Sequence, residues 1–256
     1  MSMLKQILGV QKETANDGVL LELGRTPLSL EAKKLSIKNW ERIIRGNANR
    51  PILQSLQEAI ALDLPWISQI KSCMESIGLL NFYTGNHSSK NPFVFKKVFQ
   101  RLSDIFHQDV FSNINGDRSK LRTYAIFKKS TGYEPYLSNI KNVAIRKNVT
   151  KYRLSNHKLM IEYGRMNNLN ADERFCPFCP NMIEDEMHFL LHCPIYSPQR
   201  TAFVEPIINQ LHNARVLSDR QKFEYIMSNM DKNLCNYISN SMDVREFLVS
   251  NPKRPG

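Results

Sequence analysis

The chain has 256 residues, 42% of them hydrophobic, and a formal net charge of +11. This is enough for one large domain or two small ones with a real core. No apolar run approaches the ~20 residues of a membrane span, which excludes an integral helical membrane protein as the expectation. The N-terminal stretch lacks the apolar length and cleavage pattern of a signal peptide.

In chain order the pattern is helical. Thr26-Pro27 offers a hydroxyl cap and a proline at the first helical position, ahead of Leu28, Leu30, Leu35, Ile37, Trp40, Ile43 and Ile44 at helical spacing up to Gly46. Trp40 is expected in the core. Pro51 opens a second helix to about Leu62. Pro65 opens a third through Ile67, Ile70, Met74 and Ile77, stopped by Gly78, with Cys73 as a small buried apolar group. Residues 84–92 (TGNHSSKNP) read as a linker. Phe93, Phe95, Val98, Phe99, Leu102, Ile105, Phe106 and Val110 then predict a long core helix, broken at Asn115-Gly116-Asp117. Ser119 caps a helix through Phe127. Two more are expected over Ile140 to Arg146 and Thr150 to Tyr163, the second capped by Thr150 and ended at Gly164. Beyond the cysteines, Pro198 starts a helix to about Ala214, and Asp219 to Met227 and Asp231 to Val249 finish the order before a frayed tail. No internal repeat and no useful period-two signal are present.

Charge is unevenly placed. Residues 1–86 carry a net +2, residues 87–175 a net +10 and residues 176–256 a net −1. The candidate phosphate contacts lie in that middle segment: Arg118, Lys120, Arg122, Lys128, Lys129, Arg146, Lys147, Lys151 and Arg153. Tyr124 and Tyr152, interleaved with them, could stack on unpaired bases or pack in the core.

The sharpest signal follows at once. Cys176-Pro-Phe-Cys179, eight residues, His188, four residues and Cys193 form a C-x2-C-x8-H-x4-C array. Two thiolates two residues apart grip an ion through a tight turn, and a histidine and a third thiolate close the other side. A closed N/S set of four suits a structural zinc and leaves no open position for substrate. A redox CxxC usually opens a helix, whereas Pro180 and Asn181 suit a loop. His188 and His192 share a helix face, so the histidine ligand is open to question. Pro194 ends the helix near Cys193 and frees that thiolate to turn inward. Glu184-Asp185-Glu186 reads as a charge cluster at a helix N-terminus. Three of the five cysteines lie in this array; Cys73 and Cys235 are unpatterned, and the whole fits a reducing, intracellular compartment, nuclear or cytoplasmic, rather than secretion. The sequons at Asn86 and Asn148 then carry no weight. There is no phosphate-cradling glycine loop, no G-x-S-x-G elbow, no HExxH and no close carboxylate pair of a two-metal site.

Together these residues resemble a known family. Lys151–Arg165 (KYRLSNHKLMIEYGR), Cys176–Cys179 and Glu184–Pro194 (EDEMHFLLHCP) are similar to the C-terminal region of non-LTR, LINE-type retrotransposon reverse transcriptases. Leu8–Leu28 (LGVQKETANDGVLLELGRTPL) and Lys120–Lys128 (KLRTYAIFK) resemble the region after the polymerase thumb in the same polyproteins. The resemblance runs from about Leu4 to about Arg200. It implies that Cys176, Cys179, His188 and Cys193 form a CCHC zinc knuckle that helps to hold template RNA or target DNA. The family's polymerase palm motif and endonuclease have no counterpart in this chain, so the resemblance implies no enzymatic activity.

The expected protein is therefore mainly α, with a small zinc-knuckle loop around which short strands are left open. Its segments are a helical region over 1–84, a basic helical region over 92–175, the knuckle over 176–196 and C-terminal helices over 197–250. One structural Zn²⁺, RNA or DNA as partner and no membrane are expected, with the oligomeric state open. A zinc-dependent protein-interaction module and an inert transposon-derived fragment are the alternatives.

Overall fold

Proline and glycine set the helix boundaries much as the sequence predicts. The computed structural model describes residues 1–45, 50–84, 92–116, 119–211 and 214–251. The interior of the expected linker, the sequon at Asn86, Arg118 and the tail lie outside the described residues. The chain divides into two compact units, one of Met1–Arg25 with Phe111–Gly256 and one of Thr26–Val110. The segments expected over 1–84 and 92–175 therefore each contribute to both units.

The first unit begins with α1 (Ser2–Leu8) and α2 (Asn16–Glu22). Gly9 ends α1 at φ +70°, where a Cβ would lie 2.4 Å from Lys147 Cγ, so glycine is required twice over. Gly18, inside α2, packs against Leu121 and Leu154 at a distance that leaves no room for a methyl group.

The second unit holds α3 (Leu28–Arg45), α4 (Arg50–Ala61), α5 (Pro65–Ser76), α6 (Asn81–Thr84) and most of α7 (Pro92–Asn115). Its core gathers Leu30, Ile37, Trp40, Ile67, Ile70 and Val98, with Cys73 buried among them. The Trp40 ring stacks on Tyr83 at 5.8 Å and meets the edge of Phe95 at 5.9 Å. Two expected core residues of α3 lie outside: Leu28 is 86% exposed and Leu35 is 65% exposed. The buried stripe instead follows Leu30, Ile37 and Trp40, spaced seven and three apart, and Leu28 and Leu35 fall on the opposite face of the helix. Thr26 does not cap α3; its hydroxyl donates to Glu31 Oε1 at 2.6 Å, and the Leu30 and Glu31 N–H groups bond to the Pro27 carbonyl.

The first unit resumes with α8 (Tyr124–Phe127), α9 (Tyr136–Asn139), α10 (Val143–Arg153) and α11 (Met160–Met166). The expected break near residue 148 is absent. Asn142 caps α10, accepting from Ala144 and Ile145 N–H, and the helix runs on to Arg153. Thr150 sits inside it and bonds back to the Arg146 carbonyl at 2.9 Å. The chain turns at Ser155, at φ +49°, a break with no glycine or proline to announce it. Gly164 lies within α11 because Arg174 crosses it, with Cγ 2.7 Å from the Cβ position. The unit closes with α12 (Ser197–Phe203), α13 (Glu205–Asn209), α14 (Asp219–Ser228) and α15 (Lys232–Ser250). The single helix expected from Pro198 is split because Pro206 has no N–H to continue it. Helices α10 and α15 pack together, α1 lies on α10, and α8 lies against α14. No helix among the described residues is long and apolar enough to cross a membrane.

Candidate metal centre

The segment between α11 and α12 is built as two halves of a clamp. The first half is a tight hairpin. Phe175 and Ile183 form an isolated antiparallel bridge, Cys176 N–H donates to the Met182 carbonyl at 2.7 Å, and Glu184 N–H donates to Arg174 at 3.0 Å. Among the described residues this bridge is the only β-pairing around the loop, and no strand occurs. The positive φ falls on Asn181 (58°), one position after Pro180. Asparagine tolerates this left-handed conformation better than most residues.

The second half is a helical turn opened by Asp185, whose Oδ1 accepts from His188 N–H at 2.7 Å. It widens to π geometry over His188–His192, and Cys193 N–H bonds to the His188 carbonyl at 2.9 Å. In an α-helix a residue five positions on lies about 140° round the axis. The wider turn reduces that offset and brings Cys193 beneath His188. Proline at 194 then ends the turn. Its last carbonyls are satisfied from outside: Arg200 donates to Leu190 O at 3.0 Å and Cys193 O at 2.6 Å, and Tyr237 OH donates to Phe189 O at 2.9 Å.

The two halves bring Cys176, Cys179, His188 and Cys193 together, all buried, with ligand atoms within 4.8 Å of one another. Cys176 Sγ and Cys179 Sγ lie 3.9 and 3.7 Å from Cys193 Sγ. The edge of a tetrahedron with ~2.3 Å metal–sulfur bonds is about 3.8 Å. His188 is 5% exposed, and neither ring nitrogen has a protein partner. A buried imidazole without a hydrogen bond is costly unless a metal takes a lone pair. Hydrogen bonding with Cys193 draws the Cys176 thiol well below the usual cysteine range, and the same exchange, with burial, pushes Cys193 above it. Anionic sulfur is the form that binds metal. The group could therefore hold one metal ion. His192 is outside it, half-exposed and 3.0 Å from Asp219 Oδ2.

The acidic run has a role that its spacing did not reveal. Only Asp185 serves the helix N-terminus. Glu184 is buried and receives two hydrogen bonds from Arg245, at 2.6 Å each, and one from Met160 N–H at 2.7 Å. Glu186 is buried against Arg122 at 3.1 Å, His157 Nε2 at 3.0 Å and Ser155 Oγ at 3.2 Å, while its carbonyl accepts from Tyr152 OH at 2.6 Å. The metal loop is thus tied to α11, α15 and the turn after α10 by hydrogen bonds to its carboxylates, and to α10 itself through Tyr152. Nothing in the periodicity singled out Arg245, Arg200 or His157; the buried carboxylates and helix-end carbonyls they satisfy became visible only in three dimensions.

The basic candidates separate into two groups. Arg153 is 2% exposed, paired with Glu22 at 2.7 Å and Glu134 at 2.8 Å, and lies over the rings of Phe127, Tyr136 and Tyr124. Lys128 is buried against Glu134 and the Gly132 carbonyl. These two cannot meet a phosphate, and their reassignment follows from the need of buried carboxylates for a counter-charge. Arg122 is held by Glu162 and Glu186, and Arg146 donates to the Ile140 carbonyl at the end of α9. Tyr124 and Tyr152 are fully buried and cannot stack on a base. Lys129 is exposed, 3.8 Å from Glu224. Lys120, Lys147 and Lys151 remain near one another: Lys120 and Lys151 line one cleft with Gly9, and Lys147 folds over Gly9.

Comparison of the chain with protein-family models, curated proteins and solved structures gives no match. The resemblance to the reverse transcriptase region rests on the motif residues themselves.

Proposed function

We propose that this chain is a zinc-stabilised, non-catalytic nucleic-acid-binding module, acting on RNA or single strands in a reducing intracellular compartment. The observation that carries the zinc is the tetrahedral S···S spacing beside a buried, unpartnered His188. The S₃N donor set favours zinc among common metals. Zinc, when bound, supplies a closed cross-link between hairpin and helical turn. Cys176 and Cys179 hold it from the hairpin, His188 and Cys193 from the turn. The nucleic-acid reading is supported by Lys120, Lys147 and Lys151, which remain on one face once internally paired cations are set aside. The resemblance to a reverse transcriptase C-terminal region points the same way.

Two measurements test this reading. Metal stoichiometry should be one zinc for the native chain and for His192→Ala, and none for Cys176→Ser; two or zero in the native chain overturns it. For RNA, three phosphate contacts give a salt slope near −2, so affinity should fall about 20-fold between 50 and 200 mM salt. A flat response overturns the phosphate reading.

A second reading, a protein-interaction module, is favoured by the exposed apolar side chains of the Thr26–Val110 unit, Leu28, Leu35 and Leu62 among them. A partner retained after nuclease treatment would support it.

A further inference from the structure

Beside the metal loop lies a cleft of about 510 Å³, within the range of small-molecule and nucleotide pockets. One side is the Gly9–Glu13 turn, another the α10 residues Asn148 and Lys151, and a third α15 from Met242 to Glu246. Its shape depends on the metal loop. Ser155 and His157 on its wall are held by Glu186, and Arg245 is held by Glu184.

Four carboxylates face the cleft and are mostly answered. Glu162 pairs with Arg122 and Arg165, and Glu246 with Lys158. Asp243 accepts from Asn148, and Glu13 lies in the field of Lys5. The cations are not all answered. Lys151 makes no hydrogen bond or close ion pair among the described residues and feels only the field of Glu246, and Lys120 reaches only the Glu13 carbonyl, at 3.5 Å. The Asn156 amide accepts from the Gln11 backbone N–H at 3.0 Å and donates to Gln11 Oε1 at 3.1 Å, which leaves the Gln11 side-chain NH₂ without an acceptor among the described residues. Asn148 donates to Ser239 and keeps its oxygen as an acceptor. Val10, Met166 and Met242 supply apolar wall. Ammonium groups held by no close carboxylate, an amide donor, an amide acceptor and adaptable thioethers in one cleft match a phosphate and a base edge together.

We infer that this cleft receives one unpaired nucleotide of a bound strand, with its phosphate on Lys120 and Lys151 and its base against Val10, Met166 and Met242. The inference rests on the nucleic-acid reading above and narrows it to single strands. A base inside a duplex is stacked and paired, and cannot enter a cleft between these elements without leaving the helix.

The test uses the full zinc-loaded chain and a labelled single-stranded RNA of about ten nucleotides, long enough to cover one site of ~4–16 nucleotides. The single strand should bind, the matching duplex should compete at least about tenfold more weakly, and adenosine or uridine 5′-monophosphate should displace it. Lys151→Glu and Met242→Trp, checked for one bound zinc, should each weaken binding by about tenfold or more, while Lys232→Glu on the exposed start of α15 should not. Undiminished RNA binding by both cleft variants, or equal competition by duplex, overturns the cleft and leaves the general reading standing. If the native chain binds no RNA at low salt, the general reading fails and the cleft assignment with it.

Discussion

Arg153 shows how a residue type can mislead when its partners are distant in sequence. Sitting in a run of lysines and arginines, it reads as a surface cation. It is instead enclosed by two carboxylates and three aromatic rings, and its nearest anion, Glu22, is 131 positions away. No local pattern encodes that distance. Removing one partner of a buried pair leaves an uncompensated charge, so Arg153→Ala should destabilise the Met1–Arg25/Phe111–Gly256 unit by about 3–5 kcal/mol. Arg153→Lys should recover little, because an ammonium group cannot span two carboxylates and lie flat on the rings. Urea unfolding monitored by a probe in this unit would check both. Arg245→Met should cost a similar ~3–5 kcal/mol by stranding Glu184. It should also weaken metal retention in a chelator competition, whereas His192→Ala should leave retention unchanged. By contrast, the cluster of three cysteines and a histidine was legible in the sequence, because metal chemistry dictates both residue type and short spacing, while the choice of His188 over His192 came only with the resemblance and the buried geometry.

The elements were legible where a punctuating residue marks them. Pro65, Gly78, Ser218 and Asp231 each stand at or just beyond a helix end, and α5, α14 and α15 fall where periodicity places them. The boundary between α10 and α11 was not legible, because Ser155 turns the chain at positive φ with no glycine or proline to mark it. What fixes it there is the packing of His157 and Ser155 on Glu186, a tertiary cause. The widened turn over His188–His192 was likewise hidden, since a π turn has no sequence signature of its own. Its geometry is held by Asp185 at one end and Arg200 at the other. Asp185→Ala should cost about 1 kcal/mol as a lost helix cap. Chelation of the metal should raise hydrogen exchange at the Cys193 amide and through Glu186–Tyr196, and leave α4 and α5 unchanged. Such metal sites contribute roughly 10–16 kcal/mol of binding free energy in small peptides, so the local effect should be large.

At the scale of the whole chain, the unit boundaries differ from the composition-based segments because they follow contacts rather than linkers. The first 25 residues belong with the C-terminal part: α1 lies on α10, Leu23 bridges Tyr133, and Glu134 N–H donates to the Glu22 carbonyl. Deleting residues 1–25 should therefore lower the thermal midpoint of the metal-bearing unit. A fragment of residues 26–110 should keep its helical circular dichroism. If the deletion leaves the metal-bearing unit's midpoint in place, the N-terminal segment is not an integral part of it.

The pairing of Glu22 with Arg153 also sets an order of events at the ribosome. Chains are synthesised at ~5–20 residues per second, so 131 positions correspond to roughly 7–26 s between the emergence of the two partners. During that interval α2, whose Val19, Leu20 and Leu21 are buried in the finished protein and whose Gly18 packs on both Leu121 and Leu154, lacks part of its final cover. The Thr26–Val110 unit, contiguous in sequence, is complete before Arg153 is made. The nascent chain thus carries a sticky N-terminal segment through the whole synthesis of the second unit, a window in which a chaperone or a neighbouring nascent chain competes for it.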